Sequence, residues 1–168
     1  MYSTMPKHLF LAILIASLGL SACKNMQSTA NAPTDNEAII RACRNQVDAW
    51  RMQSFEGESD AWAHVPYALK MLTNGTRTIG WKNIGESYRE SFGSEGLTRG
   101  EPVFTTALSD FYVRVNGNSA WVVFNQHQIF ANEDGGQDLY ETMEVRGLEK
   151  INNEWRIVFQ LTGPYSEQ

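Results

Sequence analysis

Three features of this 168-residue sequence predict an α+β layer protein, with three N-terminal helices followed by an antiparallel sheet. Apolar residues recur at helical spacing from Pro33 to Phe92, the period falls to two from Thr105 onward, and short polar turns divide the second half into strands. The length suits one ordinary domain.

The first helix has a start signal at Thr34, which follows Pro33 and stands at capping-box spacing from Glu37. Ile40, Cys43, Val47 and Trp50 then form one apolar stripe. Cys43 lies on that stripe and reads as a small buried hydrophobe rather than a reactive thiol, because only Arg41 and Arg44 place positive charge nearby. Ser59 and Asp60 are positioned to cap a short second helix over 61–64, which Pro66 ends by disfavouring helical geometry in the residue before it. A strand over 68–72 follows. Asn74-Gly75 turns the chain, and Trp81, Ile84, Tyr88 and Phe92 mark a third helix. Strands are predicted over 105–115, 119–131, 137–151 and 154–162. Asn116-Gly117-Asn118, Glu133-Asp134-Gly135-Gly136 and Asn152-Asn153 lie between them, so consecutive strands should form an antiparallel meander.

Composition excludes several functions. With 14 Lys and Arg against 19 Asp and Glu, the net charge of -5 and a pI near 5.2 argue against a nucleic-acid-binding surface. Three histidines and two cysteines leave too few ligands for zinc ribbons or multi-histidine metal centres, and nothing implies a cofactor.

Residues 1–23 read as a targeting signal: Lys7, an apolar run over 9–20, then small residues before Cys23. As a helix that run would span about 18 Å, short of the roughly 30 Å hydrocarbon core. Leu20-Ser21-Ala22-Cys23 resembles the lipobox of bacterial lipoproteins, in which the cysteine is acylated and becomes the new N-terminus. Ordinary secretion with an incidental Cys23 is the alternative. A lipidated Cys23 would tie the domain to the bacterial cell envelope, and the resemblance to lipoproteins of enteric-type bacteria implies, from Lys24 rather than Asp after the cysteine, the outer membrane, facing the periplasm. Acylation would leave Cys43 as the lone thiol. Residues 24–34 form a polar tether and the domain occupies 35–168.

Strand parity assigns side chains to faces. With Gly117-Asn118 as a turn, Val115 opposes Ala120, Val113 opposes Val122 and Phe111 opposes Phe124 on one apolar face, with Gln126 also inward. Trp121, Asn125 and His127 then point outward, and Trp121 would suit a subunit interface or a half-exposed surface position. In the last hairpin, Asn152-Asn153 sets Leu148 against Ile157, Arg146 against Phe159 and Glu144 against Leu161. That puts an acid and a base on the apolar side, where they can pair or orient a polar ligand. A one-residue register change would instead place Met143 and Val145 inside.

Trp62-Ala63-His64-Val65-Pro66-Tyr67, Gly80-Trp81, the Asn116-Gly117-Asn118 turn leading to Ala120, Leu148-Glu149-Lys150 and Trp155-Arg156-Ile157-Val158 occur in an order that resembles the nuclear transport factor 2-like superfamily. More narrowly, 36–163 is similar to SnoaL-like domains. The resemblance implies a strongly curved sheet wrapped around the helices, a cone with a pocket at its open end (a cystatin-like α+β roll), and often a homodimer through the sheet. It also implies that isomerases and dehydratases occur among relatives. The steroid-isomerase pattern needs a helix-one tyrosine, and 35–56 contains none. The paired pocket histidines of dehydratase-like relatives are replaced by Phe159-Gln160-Leu161.

The expected function is therefore a lipid-anchored domain binding a small, partly apolar molecule through Trp62, His64, Tyr88, Phe124, Gln126, Glu144, Arg146 and Phe159. Two alternatives stand beside it: an enzyme using Glu144 or His64 for proton transfer, and an interaction module using the outer sheet face. His64 is also readable as a structural histidine. A two-histidine metal site with His127 is not expected, because parity puts His127 on the other face.

Overall fold

A computed structural model describes residues 33–93, 101–132 and 134–165. The expected leader, Cys23 and most of the expected 24–34 tether lie outside these residues. The elements are α1 (Asp35–Arg51), α2 (Phe55–Ala61), β1 (Leu69–Met71), β2 (Arg77–Ile79), α3 (Trp81–Phe92), β3 (Thr105–Asn116), β4 (Ser119–Ala131), β5 (Gln137–Ile151) and β6 (Glu154–Pro164). The fold is mixed α+β, with one curved sheet ordered β2-β1-β6-β5-β4-β3. Strands β3 to β6 make the expected antiparallel meander. β1 pairs parallel to β6, and β2, which the sequence did not reveal, pairs antiparallel to β1.

The capping box at the start of α1 is formed: the Thr34 hydroxyl accepts from the Glu37 N–H at 3.3 Å and the Thr34 N–H donates to Glu37 Oε2 at 2.8 Å. The buried stripe of α1 is rotated by one position from the predicted one. Ile39 is buried and Ile40 only half-buried, while Cys43 and Val47 stay inside. Burial pushes the Cys43 thiol up to about 12, consistent with an inert core residue.

The second helix starts earlier than predicted. Gln53 adopts a positive φ of 52° that turns the chain out of α1, and Ser54 then caps α2 by accepting from the Gly57 N–H at 3.1 Å. Ser59 and Asp60 consequently fall inside the helix. Trp62, expected within it, is extended. Gly57 allows the two helices to approach: a Cβ there would stand 2.7 Å from the Ala49 Cβ. α3 begins and ends as its spacing predicts, burying Ile84, Tyr88 and Phe92.

Two bulges decide which side chains face inward. In β3, Asp110 and Phe111 together oppose Phe124, because the register runs Ser109↔Asn125 and then Tyr112↔Val123. Asp110 takes up the extra length at φ 55°, and Phe111 still stacks on Phe124 with ring centroids 4.9 Å apart. In β6, Leu148 pairs with Ile157 as predicted, but Gly147 pairs with Phe159 and Val158 is left over. The predicted Arg146–Phe159 and Glu144–Leu161 pairings are therefore wrong by one residue: Arg146 pairs with Gln160 and Glu144 with Thr162. Parity along β5 is unaffected, so Glu144 and Arg146 remain on the inner face.

The core lies between the helices and the inner sheet face. Ile39, Cys43, Val47, Trp62, Ile84, Val122, Phe124, Leu148 and Ile157 are each at most 3% exposed. On the opposite face Trp121 is 47% exposed and its ring lies 5.5 Å from that of Tyr112.

Candidate functional site

Inner-face residues change character along the strands. On β4 the sequence Ala120, Val122, Phe124, Gln126, Gln128 passes from apolar to polar, and on β5 Leu148 gives way to Arg146, Glu144 and Thr142. The apolar end is closed by the core. The polar end opens into a cavity of ≈ 610 Å³, within the range that holds small organic ligands. Its helical wall comes from Gln46, Val47 and Trp50 of α1 and Ser87, Tyr88 and Ser91 of α3. Lys70 and Thr78 of β1 and β2 form one side.

The floor is an ion pair. Arg146 Nη1 donates to Glu144 Oε2 at 2.7 Å, and the two side chains are each 2% exposed. The hydroxyls of Thr142 and Thr162 donate to the same carboxylate at 2.8 and 3.0 Å. Arg146 Nη2 donates to Gln46 Oε1 at 3.1 Å, and Gln46 Nε2 in turn donates to both oxygens of Glu58 at 3.0 and 3.2 Å. Trp62 Nε1 also donates to Glu58, at 3.2 Å. A chain of buried polar groups thus runs from β6 through β5 and α1 to α2, and nearly every charge in it has a partner.

Glu58 is fully buried, and desolvation pushes its carboxyl up to about 7 against the pull of the Gln46 hydrogen bonds and the Lys70 charge. Lys70 is affected in the reverse sense. Burial lowers its ammonium to about 8, with Glu58 opposing the shift. The Tyr88 hydroxyl is close enough to Glu58 for that charge to help burial raise it, yet it meets no acceptor or donor at full hydrogen-bond geometry.

The expected site residues divide evenly. Tyr88, Gln126, Glu144 and Arg146 line the cavity. Trp62 and Phe124 are in the core behind it, Trp62 holding Glu58 and Phe124 lying under the Arg146 guanidinium at 5.4 Å. Phe159 is a correction: the β6 bulge places it beside Gly147 on the other face and puts Gln160 in its stead. His64 is also outside. It is exposed, stacks on Trp81 at 4.5 Å and sets Nε2 2.9 Å from the Ser59 carbonyl oxygen, so the structural reading fits it. Glu144 accepts from two hydroxyls and a guanidinium, an arrangement suited to fixing a charge rather than to moving a proton.

Gln46, Glu58, Lys70, Gln160 and Thr162 were not singled out in the sequence. Gln46 carried one signal, since it lies three residues after Cys43 on the buried side of α1. Lys70 carried another, a charge alternating with Leu69 and Met71 in a short strand. Among the described residues no three His, Cys, Asp or Glu side chains are grouped to hold a metal, and no helix is long and apolar enough to cross a membrane.

No protein-family model matches the sequence, and no curated protein matches it. Solved structures do. A nuclear transport factor 2-like superfamily protein from Salmonella enterica aligns with a TM-score of 0.62 at 21% identity, covering 79% of this chain and 93% of the other. A nuclear transport factor 2-like family protein from Streptomyces avermitilis gives 0.65 at 15%, over 79% and 98%. A domain with a cystatin-like fold from Nostoc punctiforme gives 0.58 at 23%, over 81% of each. The chain therefore shares the fold of nuclear transport factor 2-like and cystatin-like domains. At these identities the likeness defines the fold, while the chemistry rests on the site.

Proposed function

We propose that this domain binds a small, partly apolar molecule in the cavity at the polar end of its sheet, without carrying out a reaction on it. The observation that carries this reading is the cavity of ≈ 610 Å³ whose floor is the fixed Glu144–Arg146 pair and whose walls set Trp50, Tyr88 and Phe130 beside threonine, serine and glutamine side chains. Prearranged polar groups next to aromatic surface orient a ligand at little cost in ordering. Native mass spectrometry of protein purified from its own cells is expected to show a retained small molecule. A homogeneous ligand-free mass, unchanged after incubation with an extract of those cells, would count against the proposal.

The same reading holds the domain at the bacterial outer membrane, facing the periplasm, by acyl chains on Cys23. Its support is the apolar run over 9–20 ending in Leu20-Ser21-Ala22-Cys23. Cells grown with radiolabelled palmitate should label the wild-type chain but not Cys23→Ser. Equal labelling of both would refute the anchor.

A further inference from the structure

Among the charged groups lining the cavity, Lys70 differs from the rest in its company. Arg146 is neutralised by Glu144 at 2.7 Å, and Asp138 lies at the solvent-exposed end of β5. Lys70 is only 9% exposed, yet among the described residues its ammonium makes neither a hydrogen bond nor an ion pair. Its neighbours are π faces: Nζ stands 3.7 Å from the centroid of Tyr88 and 5.7 Å from that of Trp50. Glu58 acts on it through space, but that carboxylate is held by Gln46 and Trp62 and is not among the residues lining the cavity. An aromatic face compensates a desolvated cation only in part. Burying an ammonium without an ion-pair contact is costly, and here the open side of that ammonium is the cavity.

The sheet register explains how a lysine comes to be held there. Thr78, Lys70, Gln160, Arg146 and Val122 are successive cross-strand partners, so they form one row across β2, β1, β6, β5 and β4. The row passes from the apolar core at Val122 through the paired Arg146 to Lys70, which among the described residues makes no ion pair. Rigid strands on both sides fix its position.

We infer that Lys70 seats the anionic head of the cavity's ligand, a small organic acid bearing one negative charge, with its apolar part against Trp50, Tyr88 and Phe130. This rests on the small-molecule reading above and narrows it. A monovalent head, a carboxylate foremost, matches the one cavity-lining cation that, among the described residues, makes no ion pair. A phosphate dianion would bring surplus charge toward Glu144 and Glu58. The hydroxyls of Thr73, Thr76, Ser87 and Ser91 remain for polar substituents on the acid.

Isothermal titration of the full chain with 2-naphthoate and with its uncharged counterpart 2-naphthamide tests the inference, because the two probes share a ring system and differ in charge. Naphthoate is expected to bind at least about tenfold more tightly, the usual scale for a charged hydrogen bond in a partly buried site. Lys70→Met should abolish that preference by weakening naphthoate at least about tenfold more than naphthamide, and Lys70→Arg should retain it. Circular dichroism of each variant confirms that the fold is kept. Equal affinities in the wild type or a preference that survives Lys70→Met would each overturn the assignment to Lys70 and leave the cavity a binding site, and displacement of naphthoate by millimolar inorganic phosphate would overturn the singly charged head. Failure of both probes to bind would instead sink the small-molecule reading itself.

Discussion

Arg146→Met is expected to destabilise the domain by about 3–5 kcal/mol, the usual cost of removing one partner from a buried ion pair. The methionine fills much of the space, so lost packing is a minor part of the effect. The larger part is electrostatic. Glu144 would keep the Thr142 and Thr162 hydroxyls but lose its guanidinium at 2.7 Å, while remaining almost wholly out of water. Gln46 Oε1 would lose both of its Arg146 donors, leaving a buried acceptor unsatisfied. Removing the second charge as well should restore much of the loss, because two well-packed neutral side chains can replace a buried pair with little penalty. Urea unfolding of Arg146→Met, Glu144→Gln and the double variant closes the cycle. If the two single effects simply add in the double variant, the pair is not coupled and Glu144 and Arg146 do not form the cavity floor as one unit.

That same pair shows how far the sequence could be read. Alternation along 137–151 placed Glu144 and Arg146 on the inner face, and the structure puts them there, because parity within one strand is local and survives any change in its neighbour. The strand limits from 105 onward were legible for the same reason. Partners across strands were not, since one bulged residue in β6 moved Gln160 and Thr162 to where Phe159 and Leu161 were expected. Gly147 was the visible hint. A glycine inside a strand marks a bulge or a close approach, and a Cβ there would meet the Phe159 Cβ at 3.0 Å. β2 was hidden because Arg77–Ile79 is too short to show a period, and its existence depends on β1. Glu58, Gln46 and Lys70 were hidden for a different reason. A polar residue looks solvent-facing until the groups around it are known, and Gln46 lies 12 residues from Glu58 while Arg146 lies 100 from Gln46. Such partners come together only in three dimensions.

Glu58 gives the second large expected effect, a stability that rises as the solution is made more acid. Burial raises its carboxyl from the ordinary 4.5 to about 7 in the folded chain, so between those two values the folded state binds more protons than the unfolded one. Lowering the pH through that window therefore favours folding, and raising it removes the benefit. Lys70 acts at the other end. Its ammonium falls from 10.5 to about 8 on folding, so between about 8 and 10.5 the unfolded chain holds the extra proton and raising the pH favours folding. The contribution of the two groups is consequently least favourable between about 7 and 8. Each unit of separation between folded and unfolded values is worth about 1.4 kcal/mol, which makes the Glu58 effect a few kcal/mol across its window. Urea unfolding of the wild type and Glu58→Gln at pH 5 and pH 7.5 isolates it. The difference between the two proteins cancels Asp35 and Glu37, whose lowered values act in the opposite sense at more acid pH. The wild type should lose stability relative to Glu58→Gln as the pH rises from 5 to 7.5. A pH-independent difference would show that Glu58 is already ionised at the acid end, held charged by Gln46, Trp62 and Lys70 in spite of its burial.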